Sequence, residues 1–301
     1  MYSVKELYRP ASLEEALKTL KENPDASLLA GGTDVLVKLR KKKPENVKLI
    51  SISQLSELKG TGLLDDGTIA IGPCTTFTEI GNDPVIREKI PMLAHAALSM
   101  GGPQIQNVAT IGGNVCNGAV SADSAPSLFA LDAQIVLRTS EGERTTGIED
   151  FYLGPGKVKK NPDEIMVKIL IPPRGRRFGC RYIKFSTRKA MDLAILGAAA
   201  AVTLEDDKEV IRKAALALGV AAPVPVRCKT AEAYLQGKTL TKEVIEEAGR
   251  LALTEANPRD SWRASKRYRE ALIKELSGRA LEAAYKCAGG ETYDPNTSDV
   301  E

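Results

Sequence analysis

Leu28-Leu29-Ala30-Gly31-Gly32-Thr33-Asp34-Val35 is the stretch on which the fold turns. An apolar run enters a pair of glycines, a hydroxyl and a carboxylate follow, and a helical pattern then runs from Asp34 to Lys42. That order predicts a strand, a tight turn and a helix start. Glycine tolerates positive φ and close backbone approach, so successive N–H groups can turn inward as a nest for an anion. Thr33 or Asp34 is placed to cap the helix, whose N-terminal dipole would add to the attraction for a phosphate. The plainer alternative is a strand-to-helix turn that holds no ligand.

A second stretch, Thr110-Ile111-Gly112-Gly113-Asn114, repeats the pattern of hydroxyl, apolar residue, paired glycines and polar side chain. Two such turns suit the two phosphates of a dinucleotide. Neither matches GxxxxGK[ST] or GxGxxG, so no P-loop and no Rossmann fingerprint is present. On the residues alone, a diphosphate-binding protein and a pair of structural turns both stand.

Composition narrows the function classes. Two domains are expected from 301 residues. A net charge of +3, from 42 basic and 39 acidic residues, gives no case for nucleic acid. The densest basic run, Arg40-Lys41-Lys42-Lys43, reads as a solvated helix end favoured by the C-terminal dipole, or more weakly as a docking patch. No apolar segment approaches the ~20 residues that span a bilayer, and Met1–Tyr8 has no signal-peptide core. Neither a membrane nor a nucleic acid is expected as a partner, and the expected location is the cytoplasm.

The five cysteines, at 74, 116, 180, 228 and 287, are scattered singly. That spacing gives no disulfide framework, zinc site or cluster-binding set, and most are expected to be buried thiols. The single histidine, His95, lies in an apolar helical stretch and reads as structural. No catalytic or metal-ligating set is expected.

Taken in order, Ser12-x-x-Glu15 is a capping box ahead of a helix that buries Leu13, Ala16, Leu17 and Leu20. With strands at 27–30 and 48–52 this predicts a small βαβ lobe of about fifty residues, near the minimum for such a unit. Asp65-Asp66-Gly67 predicts a hairpin. Helices are expected from Thr76 or Thr78, over 92–99 and over 125–131, and strands at 133–139, 144–147 and 164–171. Pro172-Pro173-Arg174-Gly175-Arg176-Arg177 reads as a stiff, basic linker. Beyond it, strands near 181–187, 194–204 and 210–218 precede helices near 230–236, 242–255 and 265–287. Such an order is an α+β domain with a sheet covered on one face. The tail from Gly289 is expected to fray.

The two glycine turns resemble the FAD pyrophosphate loops of the molybdenum hydroxylase flavoproteins. The likeness continues through 102–109 (GPQIQNVA), 116–124 (CNGAVSADS), 154–157 (GPGK), 219–223 (GVAAP) and 261–266 (SWRASK). It covers nearly the whole chain and is greatest for the separate FAD-binding subunit of bacterial xanthine dehydrogenases.

That resemblance implies an α+β fold with a two-part, vanillyl-alcohol-oxidase-like FAD-binding domain at 1–173, its lobes about 1–55 and 56–173. A C-terminal domain at 178–287 and a tail at 288–301 would follow. By the resemblance, Leu28, Leu29, Ala30, Gly31, Gly32, Thr33, Asp34 and Val35 form the first FAD loop. Thr110, Ile111, Gly112, Gly113 and Asn114 form the second, with Thr110 and Asn114 bonding phosphate or ribityl groups. Asp123 matches an acidic position that accepts from a sugar hydroxyl or the flavin, although an Asp at a helix start is equally an N-cap. Met166 and Lys184 match flavin contacts; on sequence alone they would be a strand core residue and a surface lysine. Arg263, Lys266, Arg267, Tyr268 and Arg269 offer docking or ligand contact, or a plain solvated helix face.

The implied function is electron transfer from [2Fe–2S] clusters on a partner subunit, through FAD, to NAD⁺, with the molybdenum cofactor on another partner. Related subunits of carbon monoxide, aldehyde, nicotinate and hydroxybenzoyl-CoA enzymes are alternatives, the last disfavoured because it carries an added cysteine cluster. A flavin-free assembly protein would have no need of both glycine turns. A stand-alone flavin reductase acting on nucleotide sugars would need a proton donor and a pocket that the sequence does not offer.

Overall fold

The computed structural model describes residues 4–294. The expected fraying of the tail falls largely beyond residue 294, outside the described residues.

The first lobe alternates β1 (Val4–Tyr8), α1 (Leu13–Glu22), β2 (Ser27–Leu29), α2 (Val35–Lys42) and β3 (Val47–Ser51). Its three strands form a parallel sheet in the order β1-β3-β2. The Ser12 side chain caps α1 by accepting from the Glu15 N–H, while the Glu15 carboxylate reaches one residue further back, to the Ala11 N–H. Leu13, Ala16, Leu17 and Leu20 are the buried face, as the spacing predicts. β1 carries no sequence signal because Val4 and Leu7 stay exposed at the sheet edge, so no alternation marks it. α2 departs from expectation: no residue of it is buried, and Asp34 at its start makes no side-chain cap bond.

The second lobe is built on a five-stranded sheet, β4 (Thr61–Leu63), β5 (Ile69–Ile71), β6 (Gln134–Arg138), β7 (Glu143–Gly147) and β10 (Ile165–Ile171). The order is β4-β5-β10-β6-β7, with β10 entering last and at the centre. Between β5 and β6 run α3 (Phe77–Asn82), α4 (Pro84–Lys89), α5 (Pro91–Ser99), α6 (Pro103–Gln106), α7 (Ile111–Asn117) and α8 (Ser124–Ala130). Thr76 and Glu79 form a full capping box on α3. Three of the next helices start at a proline, whose missing N–H costs nothing in the first turn. After β7 come α9 (Ile148–Phe151) and a hairpin of β8 (Tyr152–Gly154) with β9 (Lys157–Val158).

The C-terminal part is an antiparallel sheet of β11 (Phe178–Phe185), β12 (Leu196–Leu204), β13 (Ile211–Gly219) and β14 (Val226–Arg227). Helices α10 (Lys229–Leu235), α11 (Lys242–Glu255) and α12 (Lys266–Ala288) complete it. The fourth strand is two residues long and follows Pro223-Val224-Pro225, so no period-2 pattern betrays it.

The larger correction concerns coverage, because this sheet is buried on both faces. Ala198, Ala200 and Val202 join the core beneath α12. Their alternates Ala199 and Ala201, with Cys180 and Tyr182, join the core of the second lobe beside Met92, Leu93 and Phe129. Four consecutive alanines at 198–201 are what a strand needs when structure lies close on either side. On the helix side, a Cβ on Gly179 would stand 2.1 Å from the Ala284 carbonyl oxygen. The expected linker is correspondingly pinned: Arg174 donates to the Leu131 carbonyl, and Arg177 to the carbonyls of Glu205 and Lys208.

His95 lies at this junction, its Nδ1 2.9 Å from the Tyr293 hydroxyl. Burial, reinforced by the Arg181 charge, pushes its pKa down to about 4 from 6.5. The unfolded chain therefore binds a proton between those values that the folded chain refuses, so stability rises with pH across the window. Acidification from pH 7 to 4 should cost roughly 3 kcal/mol through this one group. Urea midpoints at pH 7 and 4.5 for wild type and His95→Gln would test it. An equal pH dependence in the two proteins would sink the idea.

Candidate functional site

A cavity of about 790 Å³ is walled by all three parts of the chain. The first lobe contributes Leu28, Ala30 and the turn from Gly31 to Val35. The second contributes Thr110, Gly112, Gly113, Asn114, Asp123 and Met166. The C-terminal part contributes Arg188, Met191, Asp192, Leu193 and Arg263. Of the residues that the resemblance assigns to FAD, three lie off the wall. Leu29 holds the strand end by accepting from the Ile52 N–H, Ile111 is wholly buried in the core, and Lys184 stands behind Asp123.

The first turn is shaped for an anion. Gly32 has φ +75°, which reverses the chain without a Cβ penalty. The N–H groups of Gly31, Gly32, Thr33, Asp34 and Val35 donate to no protein acceptor among the described residues. Five successive unspent donors at the start of a helix, with no acidic residue in its first turn, are a ready anion site. Gly31 serves a different need: a Cβ there would meet the Val108 carbonyl oxygen at 1.8 Å. The first turn thus packs on the backbone of Val108-Ala109, which leads into the second.

The second turn is not a copy of the first, although the sequences look alike. It is the first turn of α7, with Thr110 as N-cap accepting from the Gly113 N–H at 3.2 Å. Ile111 and Gly112 donate to the carbonyls of Thr75 and Pro73, and Asn114 to that of Thr110. Its backbone donors are thus spent, and what it offers the cavity is side chains. The Asn114 carboxamide oxygen accepts from Ser124 at 2.8 Å, which leaves its amide N–H groups for a ligand.

Asp123 does not cap α8, although it sits at the N-cap position. Only 3% exposed, it accepts from Lys184 Nζ at 2.8 Å and the Tyr182 hydroxyl at 3.1 Å. Burial pushes the Asp123 carboxyl above the usual carboxylate range, against the pull of both partners. The Lys184 ammonium also donates to the carbonyls of Ser99 and Asp192, at 2.9 and 3.0 Å. All three of its donors are used, so it acts on the cavity by fixing Asp123 and the 186–193 loop. The same loop is tied to the second lobe where Met191, at φ +53°, donates to the Gly101 carbonyl.

Sequence reasoning passed over Cys116 and Lys160, both on the wall. Burial pushes the Cys116 thiol up to about 11, so it stays protonated at neutral pH. Lys160 donates to the carbonyls of Asn161 and Glu164, and burial lowers its pKa. Cys116 opens the 116–124 stretch, but nothing in the sequence marks either side chain as part of the cavity wall. Of the basic stretch offered for docking or ligand contact, Arg263 is on the wall, and Lys266, Arg267, Tyr268 and Arg269 are not. Among the described residues, no three His, Cys, Asp or Glu side chains converge on a metal position.

These features fit FAD: a nest for a diphosphate, amide and hydroxyl groups beside it, and a cavity of about 790 Å³ walled by three parts of the chain. Residues 2–174 match the family described as the FAD binding domain in molybdopterin dehydrogenase. The chain belongs to that family. Residues 181–284 match the CO dehydrogenase flavoprotein C-terminal domain, which completes the molybdenum hydroxylase flavoprotein. The xanthine dehydrogenase FAD-binding subunit of Escherichia coli O157:H7 is 40% identical over 97% of this chain and 99% of its own. The nicotinate dehydrogenase FAD-subunit of Eubacterium barkeri is 35% identical over 80% and 82%. Among solved structures, the carbon monoxide dehydrogenase of Hydrogenophaga pseudoflava superposes with a TM-score of 0.90 at 30% identity, covering 95% of this chain and 99% of that one. As a molybdenum hydroxylase flavoprotein the chain is an oxidoreductase subunit. No helix among its described residues is long and apolar enough to cross a membrane.

Proposed function

We propose that this chain is the FAD-binding electron-transfer subunit of a xanthine dehydrogenase-type complex in the cytoplasm. It would take electrons from [2Fe–2S] clusters on one partner subunit and deliver them to NAD⁺, with the molybdenum cofactor on another. The observation that carries the flavin assignment is the run of unspent N–H donors from Gly31 to Val35, residues that wall one cavity with Asn114 and Asp123. The 40% identity to a xanthine dehydrogenase subunit favours that complex over the nicotinate and carbon monoxide types.

Bound FAD supplies the redox chemistry, accepting electrons singly and passing on a pair; the protein supplies position and electrostatics. In this reading the Gly31–Val35 amides hold the diphosphate, while Thr110 and Asn114 hydrogen-bond along the chain that joins it to the ring. Asp123, locked by Lys184 and Tyr182, accepts from a hydroxyl or a flavin N–H, and Met166 supplies apolar contact. Residues 1–173 would form the cofactor-binding domain and 178–287 the C-terminal domain, which closes the cavity through its 186–193 loop.

The test is to purify the chain, release its chromophore by denaturation and identify it, then add NADH anaerobically to the native protein. One FAD per chain, bleached by NADH, is the expected result. FAD that NADH leaves oxidised would remove the NAD⁺ assignment and keep the cofactor. No flavin, even after reconstitution with the partner subunits, would remove both.

A further inference from the structure

Trp262 is the only tryptophan in the chain, and it is 85% exposed. It sits on a segment between α11 and α12 whose backbone is firmly held. Asn257 donates to the Ala221 carbonyl at 2.9 Å, Ser261 to that of Ala264 at 3.0 Å, and Lys266 to the Asp260 carboxylate at 2.6 Å. The Arg269 guanidinium reaches back to the Ser261 hydroxyl at 2.9 Å. The indole is thus displayed by a pinned turn, and most of its surface meets no protein.

Next to it, the Arg263 guanidinium lies over the indole ring, 4.2 Å from its centroid. Arg263 also forms part of the cavity wall that the glycine turns share. Its Nε–H is buried and finds no acceptor among the described residues. The cation is therefore oriented and partly desolvated, and no carboxylate among the described residues pairs with it, which favours an incoming anion at its outer nitrogens. The surroundings add positive charge: Arg259 and Arg263, after burial, hold the Arg269 pKa below its usual range. Asp260, the nearest carboxylate in sequence, is engaged by the Lys266 N–H, and Glu270 lies 4.0 Å from the Lys266 ammonium.

An open aromatic plane beside a guanidinium lacking an acceptor matches one ligand chemistry, an aromatic base carrying phosphate. We infer that Trp262 and Arg263 form a nucleotide platform at the cavity mouth, where the indole stacks a base and the guanidinium takes a phosphate. The nucleotide is the soluble dinucleotide acceptor, which identifies part of its binding site; this step rests on the NAD⁺ reading above. FAD has the same two chemical parts, but the Gly31–Val35 amides already provide for its diphosphate.

The single tryptophan makes the test direct. The FAD-loaded chain is titrated with ADP-ribose, which carries the base and diphosphate but cannot be reduced, while Trp262 fluorescence is followed. The expected result is saturable quenching, at least tenfold weaker in Arg263→Gln and nearly absent with adenosine, which lacks the phosphates. Trp262→Leu should raise the KM for NADH at least tenfold while leaving kcat within about twofold. FAD content and circular dichroism show that both variants are folded and loaded. Failure of ADP-ribose to quench at millimolar concentration would overturn the platform, whether or not NADH reduces the flavin. Quenching in a protein whose flavin NADH cannot reduce would keep the platform and remove the NAD⁺ reading. Quenching that appears when FAD is added to the stripped chain, with none left for ADP-ribose, would assign the pair to FAD and overturn the inference.

Discussion

Gly31→Ala should lower FAD affinity at least a hundredfold and destabilise the stripped chain by about 1–3 kcal/mol, the usual cost of overpacking. A methyl at this position would lie 1.8 Å from the Val108 carbonyl oxygen and 2.7 Å from its carbon. Both are backbone atoms, so no rotamer change relieves the clash. Val108-Ala109 leads straight into Thr110, the N-cap of α7, and therefore a shift that admits the methyl also moves the second turn. The nest and the Thr110–Asn114 side chains would separate together. A hundredfold loss corresponds to about 2.7 kcal/mol, less than the several charge-assisted bonds that a displaced diphosphate would forfeit. Gly62→Ala is the matched control, since nothing lies within 4 Å of a Cβ built there. Flavin content and urea midpoints of the two variants provide the measurement. A Gly31→Ala protein that held FAD at wild-type affinity would show that the turns are not mutually braced.

Why the sequence displayed that turn so clearly, and hid its mate's true role, is a matter of what local pattern encodes. A Gly-Gly after an apolar strand has few conformational uses, so the Gly31–Gly32 turn was legible down to its free amides. Gly112–Gly113 looks the same in one dimension. Only the fold shows that Pro73 and Thr75 consume its donors, and that Gly112 is small because a Cβ would meet the Pro73 Cβ at 2.3 Å. Helix starts at Ser12 and near Thr76 were readable because capping is decided within four residues. Lys184 was not: on its own strand it looks solvent-facing, and the Ser99 carbonyl and the Asp123 carboxylate that claim its ammonium lie far back in the sequence. Asp123 likewise stands at a helix N-cap, yet its carboxylate is claimed by two side chains of β11. The edge strand β1 and the two-residue β14 escape detection for a simpler reason, since neither has length or alternation enough to signal.

The same long-range logic gives the second large effect, at Arg227. This side chain, 3% exposed, is the bolt between the C-terminal sheet and the second lobe. Its Nε and Nη2 grip Glu232 at 2.6 and 2.9 Å, while Nη1 donates to the Phe129 carbonyl at 2.8 Å and to Asp132 at 2.7 Å. Glu232 in turn accepts from the Leu216 N–H on β13 at 2.9 Å. Burial alone would raise the Asp132 pKa, but bonds from Lys213 and Arg227 overcome it and hold the carboxyl at about 2. Arg227→Met should cost about 3–5 kcal/mol, because it leaves Glu232 partly buried without its cation and strips Asp132 of one of its partners, Lys213 remaining. The pH signature has a definite sign. Asp132 in the unfolded chain titrates near 3.8, so its contribution is complete above that value and lost as pH falls towards 2. The variant should therefore lose stability less steeply across that acid window, and its penalty should be largest at neutral pH. Adding Glu232→Leu to Arg227→Met removes one stranded charge and should recover part of the loss, a non-additivity expected of residues in direct contact. Urea unfolding of the single and double variants at pH 7 and 3 decides the matter: a double variant no more stable than the single would mean that packing, and not the stranded carboxylate, sets the cost.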